Sequence, residues 1–364
     1  MAKTQLGVIE GFYGEPWSWG ERSGYVSFLK QHGFSFYIYA PKGDAFMRKK
    51  WREPLPPVTE EKLAKLSVQC RSSGIEFGVG FSPYEIYLSE FDIEVKKLLQ
   101  ARLDVFNRIG VDKLGVLMDD MKGDIPDLAA KQIEVINWMA ARSSAKQIVF
   151  CPTYYSQDPV LEKLFGKMPE GYFEKLNAGL DKKVNMFWTG ELVCSKSYTA
   201  DHLKATAEKL GRKPLLWDNY PVNDGPRMCK FLHLRPFTGR PPEMGQWLAG
   251  HAANPMNQAA LSKIVLMTLS ASYEQGPKYN PEKAFRKAAA MVTCQEMAVQ
   301  LERDLPVFMD KGLDGLTNEE KEKLKEDYSY FFESRENETD KASREVVNWL
   351  SGRYNVTKDL FLTQ

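Results

Sequence analysis

The feature that most constrains this chain is an alternation: eight short apolar runs separated by amphipathic stretches. The runs are Leu6 to Glu10, Ser35 to Ala40, Ile75 to Phe81, Lys113 to Met118, Gln147 to Cys151, Val184 to Trp188, Pro214 to Asp218 and, weakest, Trp247 to Ala253. Their starts lie roughly 30 to 40 residues apart, the length of one strand–helix repeat. Runs such as Phe36 to Tyr39 and Leu114 to Met118 lack polar alternation, as strands buried on both faces of a parallel sheet do. Between them Glu60 to Arg71 reads as a helix ending before Gly74, and Asp92 to Ile109 as one ending at Gly110, where glycine suits a left-handed cap. Eight repeats predict an α/β fold, a (β/α)8 barrel of the TIM type. An open doubly wound sheet is the alternative, because periodicity alone does not close a sheet.

After Ser272 the pattern changes. Pro281 to Leu305, Asn318 to Phe332 and Thr339 to Tyr354 read as helices with no strand between them, and Thr317 with Glu320 forms a capping box. The expected organisation is a catalytic barrel over residues 1–278 and a small C-terminal helical appendage over 279–364. Packing against the barrel is one use for these helices, and a homodimer contact is another.

Composition narrows the function. Of 364 residues, 49 are Lys or Arg and 48 are Asp or Glu, with the signs interspersed, so no basic face is set aside for nucleic acid. The five cysteines are scattered without a CxxC pair, and the four histidines make neither HxH nor HExxH, so neither a disulfide framework nor a metal centre is expected. No cofactor is expected, since no phosphate-binding glycine loop follows a strand. The first residues contain no apolar stretch of signal-peptide type, and no segment approaches the ~20 apolar residues of a membrane span. A soluble, cytoplasmic protein without a membrane partner is the expectation.

In a parallel barrel the chemistry collects where strands end. Here the endings carry Gly11 to Trp17, Tyr39 to Asp44, Met118 to Met121, Cys151 to Tyr155, Trp188 to Gly190, Trp217 to Asp224 and Asn254 to Asn257. Aromatic faces with converging amides and carboxylates suit a sugar, whose hydroxyls need hydrogen bonds and whose C–H faces stack on rings. The Asp119–Asp120 pair is central. Adjacent carboxylates oppose one another's ionisation, which favours one protonated and one charged member, an acid/base pair. A Mg²⁺ or Ca²⁺ site and a solvated turn are the competing readings of the same pair.

Taken together, Gly7 to Trp17, Tyr39 to Lys42, Asp119-Asp120, Cys151 to Tyr155, Phe187 to Gly190, Trp217 to Asp224 and Asn254-Pro255 resemble the catalytic barrel of glycoside hydrolase family 84, which includes protein O-GlcNAcases and bacterial enzymes historically called hyaluronidases. The motifs fall in order, one per strand ending, over about residues 5–275. The resemblance implies a retaining exo-β-N-acetylglucosaminidase acting by substrate assistance through an oxazoline, with a GlcNAc-bearing protein or glycan as substrate. It implies Asp119 and Asp120 as catalytic residues, Tyr155 near the reacting centre and Trp217 walling the acetyl pocket. The backbone of Gly11, with Lys42, Asn219, Asp224 and Asn254, would bind sugar hydroxyls. A sugar-binding barrel without turnover is the alternative from another class. Lys42 has a second reading of its own, as a solvated partner of Asp44.

Overall fold

The structure, a computed structural model, describes residues 4–332 and 337–364. Residues 1–3 and 333–336, which belong to the two segments expected from sequence, lie outside the described residues.

Eight strands form a closed parallel barrel in sequence order: β1 (Leu6–Glu10), β2 (Phe36–Tyr39), β3 (Glu76–Phe81), β4 (Lys113–Leu117), β5 (Gln147–Cys151), β6 (Val184–Trp188), β7 (Leu215–Asp218) and β8 (Gly250–Ala253). The ring closes where β1 pairs with β8, with Leu6 opposite His251. The (β/α)8 expectation therefore holds, and the open sheet does not. Most strand residues are buried on both faces, which is why the runs carried no alternation.

The helices beside these strands are α1 (Trp19–Gln31), α2 (Pro57–Ser72), α3 (Ile93–Ile109), α4 (Leu128–Ala140), α5 (Val160–Phe165), α6 (Tyr172–Gly179) and α7 (Ala200–Leu210). In α3, Asp92 caps the start by accepting from the Val95 amide at 2.9 Å, and Gly110 ends it at φ 74. Between the caps Val95, Leu99, Arg102, Leu103, Phe106 and Ile109 make one buried stripe at helical spacing.

The chain divides into two compact units. The first, residues 1–11, 22–219 and 243–253, contains all eight strands. The second gathers residues 12–21, 220–242 and 254–364, and so joins three segments that follow β1, β7 and β8 to the C-terminal helices. Those helices are α8 (Ala259–Gln275), α9 (Pro281–Val292), α10 (Gln295–Pro306), α11 (Asn318–Ser329), α12 (Glu338–Leu350) and α13 (Lys358–Thr363).

Inside the second unit, the Asn257 side-chain amide donates to the carbonyls of Tyr13 and Glu15, at 2.9 Å each. The amide of Tyr13 donates to Asp224 at 2.9 Å, and the amide of Val222 to the Asn254 carbonyl at 2.9 Å. From α12, Glu345 accepts from the Ala260 and Leu261 amides at the start of α8, at 2.8 and 2.9 Å. Trp349 donates to the Cys229 carbonyl at 3.1 Å, while its ring meets Phe308 edge-on.

Candidate active site

The strand ends of the first unit bring most of the expected residues together, and the turn after β4 explains how. Its backbone is tied to β5 on both sides of Met118: the Met118 amide donates to the Cys151 carbonyl at 2.9 Å, and the Thr153 hydroxyl to the Met118 carbonyl at 2.8 Å. Gln132 of α4 donates in turn to Thr153 at 2.9 Å.

Beyond this clamp the chain turns sharply. Asp120 has φ 56, a left-handed conformation that costs a residue with a Cβ of order 1–3 kcal/mol and concentrates at functional sites. Successive side chains on a strand point to opposite faces. The turn breaks that alternation, so both carboxylates come within reach of one cation, Lys42. The Lys42 ammonium is ion-paired and hydrogen-bonded to Asp119, and it stands 3.8 Å from the Asp120 carboxylate.

The two carboxylates differ in setting. Asp119 is buried and its Oδ1 has no hydrogen-bond partner, whereas Asp120 is more open, with a side chain 20% exposed. The Tyr155 hydroxyl donates to Asp120 Oδ1 at 3.0 Å. Burial and the nearby negative charge of Asp120 push the Tyr155 phenol well above its usual range, so it keeps its proton and remains a donor. Burial, then Asp119, likewise pushes the Cys151 thiol well up.

Trp217, the third residue of β7, is buried 5.8 Å from the Lys42 ammonium and meets Phe187 edge-on at 5.2 Å. Its indole N–H is also buried without a hydrogen-bond partner. A buried carboxylate oxygen and a buried indole N–H that no protein group satisfies are an acceptor and a donor open to a polar ligand or ordered water. Gly11 is needed for a steric reason: a Cβ there would lie 2.3 Å from the Trp217 ring.

Lys42 is buried against the aspartates, and the solvated pairing with Asp44 does not occur. Asp44 accepts instead from the Tyr39 hydroxyl at 2.7 Å and caps the turn at Phe46. Asn219 donates to the Val193 carbonyl at 2.8 Å, which ties the β6 and β7 endings together. Asp224 and Asn254 belong to the second unit, where Asp224 receives the Tyr13 amide and Asn254 is buried.

One residue was missed in the sequence. Arg48, in the basic run Arg48-Lys49-Lys50, is buried beneath the β4 turn; its neighbours in sequence suggest only a solvated surface. Among the described residues, no group of three or more His, Cys, Asp or Glu is placed to hold a metal ion, and no helix is long and apolar enough to cross a membrane.

A closed parallel barrel with paired carboxylates, a tyrosine and a tryptophan at its strand ends suits glycoside hydrolysis among other chemistries. Comparison with known proteins narrows the class. Residues 6–308 match the β-N-acetylglucosaminidase (NAGidase) family, and the chain belongs to that family. It is 26% identical over 314 residues to the protein O-GlcNAcases of Rattus norvegicus and Mus musculus, covering 81% of this chain. It spans about a third of the length of those relatives, 32%. Among solved structures, an Asp-to-Asn mutant of the Thermobaculum terrenum O-GlcNAc hydrolase superposes with a TM-score of 0.77 at 30% identity, over 96% of this chain and 81% of that one. CpGH84B superposes with a TM-score of 0.72 at 24% identity, over 96% of this chain and 66% of that one, a likeness of fold.

Proposed function

We propose that the chain is a retaining exo-β-N-acetylglucosaminidase of the O-GlcNAcase type, which hydrolyses terminal β-linked GlcNAc with the substrate's own 2-acetamido oxygen as nucleophile. The observation that carries the reading is Asp119: a buried carboxylate steadied by Lys42, with one oxygen unpartnered, beside a more open Asp120. A nucleophile supplied by the substrate requires an acceptor for the acetamido N–H, and Asp119 Oδ1 offers one.

In the first step the acetamido oxygen bonds to the anomeric carbon, and the bond from that carbon to the leaving oxygen breaks. Asp120 delivers its proton to the leaving oxygen, while Asp119 stabilises the positive charge that grows on the acetamido nitrogen, which keeps its proton, so that the intermediate is the N-protonated oxazoline paired with the Asp119 carboxylate. In the second step water adds to the anomeric carbon as the carbon–oxygen bond of the oxazoline breaks, and Asp120 takes the water's proton. Two inversions give net retention. Tyr155 holds Asp120 through its hydroxyl, and Trp217 lines the pocket for the acetyl methyl group. The Gly11 backbone, Lys42, Asn219, Asp224 and Asn254 are proposed to bind sugar hydroxyls. Substrates of the O-GlcNAcase type, GlcNAc on protein hydroxyls or at glycan ends, are proposed on the likeness to the rat and mouse O-GlcNAcases and the Thermobaculum terrenum hydrolase.

The test is a comparison of matched aryl glycosides. The β-N-acetylglucosaminide should be cleaved, and the β-glucoside, which cannot form an oxazoline, should be nearly inert. Comparable rates on both would refute substrate assistance, and binding of GlcNAc without turnover of either would establish a sugar-binding barrel instead.

A further inference from the structure

We infer that Arg48 is a positioning residue for the proposed acid: it holds the backbone of Asp120 in its left-handed turn, and so keeps the carboxyl aimed at the leaving oxygen. The inference rests on the reading of Asp120 as the proton donor.

Asp120 is held at its side chain and also at its backbone. The Tyr155 hydroxyl holds its side chain at 3.0 Å, and Arg48 Nη2 reaches its backbone carbonyl at 3.4 Å. The second contact is long for a hydrogen bond and part-buried, with the Arg48 side of it 4% exposed. Arg48 is itself fixed. Its Nη1 donates to the Ser82 hydroxyl at 3.1 Å, just beyond β3, and its guanidinium lies 4.9 Å from the centre of the Tyr84 ring.

The planar fork thus spans two strand endings, with one nitrogen on the β3 side and the other on the β4 turn. The same junction is braced elsewhere: the Glu85 amide donates to Met121 Sδ at 3.4 Å, and the Tyr87 hydroxyl to the Lys122 carbonyl at 2.8 Å. Those contacts fix residues after Asp120. Arg48 acts on the strained residue itself.

A left-handed aspartate persists only while its surroundings over-determine it. Without the cation at its carbonyl, the turn loses a restraint that opposes relaxation, and the carboxyl drifts from its aim while Asp119, on the strand side, stays with Lys42. Misplacement of that kind harms proton transfer more than sugar binding. The harm should scale with how much the leaving group needs the proton.

The experiment measures kcat and KM for the full chain and for Arg48→Met, Arg48→Lys and Ser82→Ala, on aryl β-N-acetylglucosaminides of graded phenol pKa, with thermal unfolding of each variant. Arg48→Met should lose on the order of 10²-fold in kcat/KM, which reports the first step, on the poorest leaving groups and little on the best. Arg48→Lys, which restores charge without the fork, should recover only part of the loss. Ser82→Ala, which frees one arm of the fork and leaves the buried cation in place, should show a weaker version of the same slope. Equal loss of kcat/KM on all leaving groups in a folded variant would reduce Arg48 to a structural role, as would an unchanged Arg48→Lys or Ser82→Ala profile if Arg48→Met does not fold. A wild-type chain that cleaves no N-acetylglucosaminide would overturn the functional reading itself, a result distinct from either.

Discussion

Asp119 and Asp120 share a peptide bond but stand in different surroundings, and their variants should fail differently. Asp119 is held by Lys42 in a buried setting; Asp120 is more open and receives the Tyr155 hydroxyl. Asp120→Asn removes a proton donor, so cleavage of alkyl-linked GlcNAc should fall by about 10²–10⁴-fold while aryl glycosides with acidic phenols are largely spared in the first step. Asp119→Asn leaves the donor intact but takes away the charge facing the nucleophile. Its rate should fall on the order of 10²-fold for good and poor leaving groups alike. Rates for both variants across graded phenols check this, and a steep dependence appearing for Asp119→Asn would exchange the two roles. The sequence made the carboxylate pair conspicuous because the two are adjacent and follow an apolar run. It could not distinguish their settings, which depend on a lysine 77 residues from Asp119 and a tyrosine 35 residues from Asp120.

At the scale of elements, α12 has a definite task inside the second unit. Glu345 is buried, and both its oxygens accept amides that α8 cannot satisfy within its own first turn. Burial pushes its carboxyl up to about 8, against the two amide donors that favour the charged form. Glu345→Ala should therefore lower the stability of the chain by on the order of 2–4 kcal/mol, since it strands two buried donors. Urea unfolding of the full chain is the measurement, and a change below about 0.5 kcal/mol, typical of a surface substitution, would show that α8 needs no such cap. Capping and period were the readable parts of these helices: the Thr317 and Glu320 box is present, and α3 starts and stops where Asp92 and Gly110 indicate. The expected helix over Pro281 to Leu305 instead breaks between α9 and α10, where Thr293 is extended and its hydroxyl donates to the Ala289 carbonyl. A threonine that competes for backbone groups leaves no mark on hydrophobic periodicity. The weakest run starts as a strand only at Gly250, where pairing with Leu215 begins. Arg48 was illegible for a related reason: its partner lies 72 residues away, and a basic run in a loop gives no sign of burial.

On the scale of the whole molecule, burial of phenols sets an alkaline limit. Tyr37, Tyr39, Tyr155 and Tyr172 in the first unit, and Tyr328 in the second, are all held well above their usual range, first by desolvation and then by neighbouring groups: Glu10 for Tyr37, Asp44 for Tyr39, Asp120 for Tyr155, Tyr87 for Tyr172 and Asp304 for Tyr328. Each keeps its proton when folded and loses it when unfolded, once the pH passes about 10. The unfolded chain then binds fewer protons than the native one, so stability declines as pH rises, and it is undiminished by these groups below the unfolded value. Each phenol contributes roughly 1.4 kcal/mol per pH unit within that window, so the four in the first unit together approach about 5.6 kcal/mol per unit. Urea unfolding between pH 8 and 11 should show a shallow fall once the pH passes about 9, where the buried Cys151 thiol ionises only in the unfolded chain, and a much steeper one near pH 10 as the phenols join it. Tyr172→Phe should flatten that fall by roughly 1.4 kcal/mol per pH unit, whatever it does to stability at pH 8 through loss of its bond to Gln132. The slope rather than the intercept is the readout, because a lost hydrogen bond shifts stability equally at every pH while a lost titration does not. An unchanged slope would mean that the Tyr172 phenol ionises in the folded protein as readily as in the unfolded one.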